Sequence, residues 1–251
     1  MLQDIKLHAF MKSFLGYGDF DAETWFVGME EGGGNNLEDI QTRINTWAER
    51  GERILEDCAE YHHAIGARQL FTPPVRKAQS TWDWLMRAQL KSEGEADDCR
   101  ASKKMQGERW LRSGSRTCGI ELLPLPSPST GVWLYSQFSD DPVLGSRARY
   151  RAAMLPSRIA AIQGAIEEHK PRNVVFYGTT YEDYWRQLAG ADFLDVDGLR
   201  VAQSSETCFL STPHPTRPVK VSKISYWKKV GERLAAQHRP NENVCLRQSD
   251  T

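Results

Sequence analysis

Two short segments hold the residue types that do chemistry. Thr24-Trp25-Phe26-Val27-Gly28-Met29-Glu30-Glu31-Gly32-Gly33-Gly34 is an apolar run that breaks into an acidic, glycine-rich loop. That is how a buried strand delivers a polar group to a pocket. Thr212-Pro213-His214-Pro215-Thr216-Arg217 sets a histidine between two prolines, which fix its backbone, with a basic residue close behind. A carboxylate can orient a water and stabilise a developing cation, and a neutral imidazole can donate a hydrogen bond to a developing anion. An acid and a histidine on two fixed loops suggest a two-loop active site.

Strands must carry these loops. Thr24 to Gly28, Val174 to Gly178 and Cys208 to Thr212 are apolar and β-prone, and a fourth run, Gly119 to Leu123, ends at Pro124. Continuous apolar runs suit strands buried on both faces, as in a parallel sheet covered by helices. Helical patterns fill the gaps: Leu37 to His63 as one helix or two, Thr81 to Lys91 with Ser80 or Thr81 as N-cap, and Arg147 to His169 stopped by Pro171. Tyr181 to Leu188, with Thr179 or Thr180 as cap, and Ser222 to Gln237 complete the set. The expected fold is α/β: three α/β/α layers around a mostly parallel, four-stranded sheet, with the site at the carboxyl ends of the strands. Residues 1–240 read as one domain with a helical insertion around 37–116, and 241–251 as a frayed tail.

The 251 residues, 40% hydrophobic and 26% charged, have the composition of an ordinary water-soluble protein. No apolar run approaches the ~20 residues that span a bilayer, and the N-terminus lacks the layout of a signal peptide. A cytoplasmic protein without membrane partners is expected. The five cysteines are widely spaced with no C-x-x-C, which argues against a zinc ribbon or clustered iron–sulfur site; no metal and no cofactor are expected. A net charge of −1 gives no overall attraction for polyanions. Basic residues do cluster at Arg100 to Arg116, Arg147 to Arg158 and Arg217 to Arg233, so a basic face can exist without a basic protein.

Four stretches together resemble the uracil-DNA glycosylase superfamily. Gly28-Met29-Glu30-Glu31-Gly32 matches the family's first motif, of the form G-Q-D-P-Y, G-E-A-P-G or G-M-N-P-G. His214-Pro215-Thr216-Arg217 matches its second, H-P-S plus a wedge residue. Glu121-Leu122-Leu123-Pro124-Leu125 fits the N-x-x-P-L frame of its single-strand-selective branch, and Asn173 to Gly178 is similar to its penultimate strand. The resemblance covers the sheet skeleton, about half the chain; Leu37 to Arg116 matches none of it.

The resemblance implies a monomeric DNA glycosylase that flips a nucleotide out of the stack, hydrolyses its N-glycosidic bond and leaves an abasic site. Glu30 takes the place of the water-activating group, and His214 that of the donor to the base O2. Gly28, Met29, Gly32 and Glu121 fall at base-binding positions. Thr216, Arg217 and Lys220 fall where DNA is held, Arg217 at the residue that fills the gap left by the flipped nucleotide.

Two departures bear on the base. Glu121 stands where uracil-specific relatives keep an asparagine. An ionised carboxylate only accepts hydrogen bonds, which suits the N4 amine of cytosine and repels the O4 of uracil; a protonated one reverses the choice. Gly32 stands where the uracil-strict branch places a tyrosine against the pyrimidine C5, so space opens there. Together they favour a 5-substituted cytosine, such as the glucosylated 5-hydroxymethylcytosine of some phages, and a role in antiviral defence. A uracil or oxidised-uracil repair glycosylase, and a catalytically inactive DNA sensor of the same fold, stay open. Glu31, in place of the usual proline, has no role in this scheme.

Overall fold

The computed structural model describes residues 4–236; the expected tail at 241–251 and the end of the last predicted helix, Gln237, lie outside them. In chain order the elements are α1 (Asp4–Ser13), β1 (Gly16–Tyr17), β2 (Thr24–Gly32), α2 (Leu37–Glu49), β3 (Leu55–Glu56), α3 (Cys58–Ala64), α4 (Ser80–Ser92) and α5 (Cys99–Glu108). There follow β4 (Thr117–Ser127), α6 (Arg147–His169), β5 (Asn173–Tyr177), α7 (Glu182–Ala189), β6 (Leu194–Val196), β7 (Leu199–Gln203), β8 (Cys208–Thr212) and α8 (Lys223–Ala236).

The fold is α/β, and its mostly parallel sheet has eight strands rather than four, in the order β3-β1-β4-β2-β5-β8-β7-β6. The four predicted apolar runs form its centre, β4-β2-β5-β8, all parallel. The four extra strands are edges of two to five residues, too short for a period-two pattern to register in the sequence. β4 also continues past Pro124 to Ser127; its ladder with β2 shifts register between Glu30 and Gly32, where Pro124 and Pro126 supply no N–H.

The order of the central strands makes a switch point. The chain leaves β2 for β4 on one side, then returns past β2 to β5 on the other. Such a reversal opens a crevice at the strands' carboxyl ends, and here it falls beside Gly28. The strands meet below it in a core that includes Trp25, Val27, Ile120, Val174, Phe176 and Leu210.

Leu37 to His63 divides into α2 and α3 around the short β3. Asn36 caps α2 and Asp57 caps α3, each side-chain oxygen accepting from backbone N–H groups of the first turn. α4 begins at Ser80, one residue earlier than predicted, because the Gln79 side chain accepts from Thr81 and Trp82 N–H and serves as the cap. α7 has no side-chain cap; Thr179 and Thr180 lie in a 3-10 turn before it.

Candidate active site

Three central strands converge on one hydrogen bond. Gly28 of β2 pairs in register with Glu121 of β4, and Tyr177 follows Phe176, the register partner of Val27, on β5. The Tyr177 hydroxyl donates to Glu121 Oε1 at 3.1 Å, directly over Gly28. A Cβ on residue 28 would collide with that hydroxyl and lie 2.7 Å from Glu121 Oε2. Glycine at this position therefore serves the close approach of two side chains. Gly28 itself does not line the cavity, and the Met29 side chain packs into the core, so no Met29 side-chain contact with a base is available.

The Glu121 backbone is pinned from behind. Arg158 of α6, only 1% exposed, donates to the carbonyl oxygens of Glu121 (2.8 Å) and Leu122 (3.0 Å). Burial, reinforced by the Glu31 carboxylate, pushes the Glu121 carboxyl up to about 8, against the opposing effects of the Tyr177 hydrogen bond and Arg158. Of the two protonation states left open for Glu121, this favours the neutral acid near pH 7. Its Oε2 is shielded from solvent and has no partner among the described residues.

Around this pair opens a cavity of about 1310 Å³, larger than the ~300–1,000 Å³ of ordinary small-molecule sites. Glu30, Gly32, Glu121, His214, Thr216, Arg217 and Lys220 all line it, so seven of the nine expected site residues meet in one place. Glu30 Oε2 is ion-paired with Arg147 at the start of α6. Arg147 is in turn held by Ser127 Oγ (2.7 Å) and the Ser129 carbonyl oxygen (2.8 Å), and lies over the Trp133 ring. The ion pair was not anticipated, since nothing in the sequence links positions so far apart.

His214 is partly buried and oriented by its own turn. Thr216 N–H donates to Nδ1 at 3.3 Å, and the Thr216 hydroxyl lies 2.9 Å from the same atom. With Nδ1 accepting, the ring proton sits on Nε2 and is available for donation. Burial, then the charges of Arg217 and Lys223, lower the His214 pKa, so the imidazole is neutral at pH 7. Its ring packs edge-on to Tyr177 at 5.8 Å. The Ser211 and Thr212 hydroxyls just before it are occupied inside the fold: Ser211 Oγ donates to Glu182 Oε2 and Thr212 Oγ1 to the Phe176 carbonyl oxygen.

The insertion builds the far wall, which sequence reasoning missed. Glu31 accepts from the Tyr17 hydroxyl (2.7 Å) and from Arg43 Nη1 (3.2 Å), with His62 Nε2 at 3.9 Å, and this explains the absent proline. His62 donates from Nδ1 to the Cys58 carbonyl oxygen, and burial lowers its pKa, which leaves a neutral ring. Gln79 and Trp82 complete that wall. Gly32 has no atom within 4 Å of where its Cβ would stand, so the way from Glu121 toward the insertion is open. Among the aromatic residues, Phe26 and Tyr177 line the cavity, whereas Trp25 and Tyr135 lie in the core.

Among the described residues, no group of three or more His, Cys, Asp or Glu is placed to hold a metal ion, and no helix is long and apolar enough to cross a membrane. Neither the protein-family models nor the curated proteins contain a match to this chain.

Proposed function

We propose that this protein is a monofunctional DNA glycosylase of uracil-DNA-glycosylase-like, three-layer architecture, acting on a modified pyrimidine. The observation that carries the reading is the convergence of Glu30 and His214 on one cavity, with the Glu121–Tyr177 pair beside them. A water on Glu30 Oε1 attacks the sugar C1′, and its proton passes to the carboxylate. The C1′–N1 bond breaks with its electrons leaving on the base, and His214 Nε2–H stabilises the charge that gathers on O2.

The preferred substrate is a 5-substituted cytosine such as glucosylated 5-hydroxymethylcytosine in phage DNA. Its support is spatial: the unobstructed Gly32 and a cavity that continues to a wall of Glu31, Arg43, His62 and Trp82. Carboxylate, guanidinium and imidazole suit sugar hydroxyls, and an indole suits a pyranose face. A second reading, a uracil or oxidised-uracil glycosylase, is favoured by the neutral Glu121, which can donate to O4.

Mass spectrometry of bases released from DNA carrying glucosylated hydroxymethylcytosine, and separately uracil, decides between them. The cytosine derivative is expected, with release slowed at least about 100-fold by Glu30→Gln. Release of uracil alone selects the second reading. Binding without release from any substrate makes the protein a sensor.

A further inference from the structure

We propose that Glu31 and His62 form a donor-seeking subsite at the insertion wall, which takes the vicinal hydroxyls of a neutral substituent on the flipped base and turns away substituents that offer acceptors alone. This deepens the glycosylase reading and rests on it for what carries the hydroxyls.

Hydrogen bonding fixes the character of the imidazole. His62 Nδ1 lies 2.7 Å from the Cys58 carbonyl oxygen, one turn back on α3. A carbonyl oxygen only accepts, so Nδ1 carries the ring proton and Nε2 is left as an acceptor. Burial keeps the ring uncharged, against the opposing effects of the Glu31 carboxylate and the Cys58 bond. Nε2 stands 3.9 Å from Glu31 Oε1, beyond hydrogen-bond reach, so the two groups do not serve each other. Two acceptors therefore oppose one another across a short gap, and both residues line the cavity. Donors brought by a ligand relieve that opposition.

The neighbouring groups narrow the class of ligand. The Tyr17 hydroxyl on β1 and Arg43 Nη1 on α2 both donate to Glu31 Oε1 and hold the carboxylate in place. Arg43, itself bound to Asp39 at 2.8 Å, is a fixed counter-cation for Glu31, so the site calls for neutral donors rather than an ammonium group. A carboxylate accepts at both oxygens. With Tyr17 and Arg43 at Oε1, the ligand takes Oε2 together with His62 Nε2. Two adjacent acceptors match two adjacent O–H groups, the pattern of a vicinal diol. A formyl or carboxyl group brings further acceptors to the same place and is repelled. Trp82 stands edge-on to His62 at 5.9 Å and gives this arm of the cavity an apolar side.

The subsite is particular to this chain. Arg43, His62 and Trp82 all come from the insertion, for which the resemblance offers no counterpart. The way to it passes Gly32, where a Cβ would meet no atom within 4 Å and the backbone is not left-handed, so a larger side chain could be built there without strain. Glycine at 32 thus leaves open a route that the fold does not itself require to be open.

The test uses the full-length protein and DNA whose target deoxycytidine carries a 2′-fluorine, which resists cleavage, so affinity is read without turnover. At C5 the cytosine bears a glucosyloxymethyl, formyl, carboxyl or methyl group. The glucosylated base should bind about tenfold tighter than the methylated one, and the formyl and carboxyl bases no tighter than it. Glu31→Gln replaces one acceptor by an N–H donor, so the glucosyl preference should vanish and formyl binding should rise. Gly32→Phe fills the open route without a clash and should abolish the preference by itself, even if Glu31→Gln fails to fold. Nitrogen NMR of His62 should find the proton on Nδ1, and added methyl glucoside should shift the Nε2 resonance. Formyl or carboxyl bases bound as tightly as the glucosylated one overturn the proposal. So does a glucosyl preference that survives Gly32→Phe, or a proton on Nε2 in the free protein. If methyl glucoside shifts Nε2 but no base is released from any unfluorinated DNA, the glycosylase reading fails and this one stands. If base is released but methyl glucoside leaves Nε2 unmoved, the glycosylase reading stands and this one fails.

Discussion

At Gly28 a single hydrogen atom in place of a methyl group decides whether the Glu121–Tyr177 pair exists. Gly28→Ala drives a Cβ into the Tyr177 hydroxyl and toward Glu121 Oε2, so the two side chains must shift to admit it. Overpacking of this kind destabilises by about 1–3 kcal/mol, and here it also breaks the Tyr177–Glu121 bond. Urea unfolding should show that loss, and base release should fall further than stability alone explains. His214 gives a second expectation. Its pKa is lowered by burial and by the Arg217 and Lys223 charges, so the neutral donor form is already full above the ordinary histidine range. The decline in base release that His214 protonation causes should therefore come on the acid side of the ordinary histidine value of 6.5. A rise through pH 6.5 to 7.5 would show an unperturbed histidine and contradict the geometry. Glu30 and His214 were legible in the sequence because glycines and prolines mark their loops. Arg147 and Tyr177 were not, because their roles come from contacts across 117 and 56 residues of chain.

Elements differ in how far their sequences announce them. α6 was readable end to end: Ser146 caps it, and Lys170 closes it in the left-handed conformation just before Pro171. The four central strands were readable because burial on both faces leaves an unbroken apolar run. The insertion was not, since buried polar contacts join its pieces: the Gln106 side chain accepts from Gln79 N–H and donates to the Leu70 carbonyl oxygen. Such bonds have no periodicity. α6 also couples stability to the site. Arg158→Met would fill much of the same volume but leave the Glu121 and Leu122 carbonyl oxygens without their donor. Losing buried hydrogen bonds to a charged group costs about 2–4 kcal/mol. A lowered urea midpoint together with weaker substrate binding is expected, because the strand that carries Glu121 loses its anchor. A shift in the midpoint with substrate binding unchanged would show that α6 supports the sheet without positioning Glu121.

For the whole molecule, the distribution of charge matters more than its sum of −1. The basic run from Arg100 to Arg116 offered a face for DNA, but three of its arginines are engaged in the fold: Arg109 pairs with Glu93 and Glu95, Arg112 with Asp57, and Arg116 with Glu23. Arg158 is buried and Arg147 is committed to Glu30. Arg217 and Lys220 remain on the cavity rim, with Lys223 close enough to His214 to lower its pKa. About three phosphate contacts, each contributing about −0.7 to −0.9, predict a log–log salt slope of roughly −2 to −3 for DNA binding. That is a shallow dependence, which the proposed reading of a flipped base requires. Lys220→Gln should reduce the slope by about one contact and weaken modified and unmodified DNA alike. Arg112→Gln should leave the slope unchanged while loosening the Asp57 cap of α3. Titrations at a series of salt concentrations check both; a slope that responds to Arg112 and not to Lys220 would move the DNA to the opposite face.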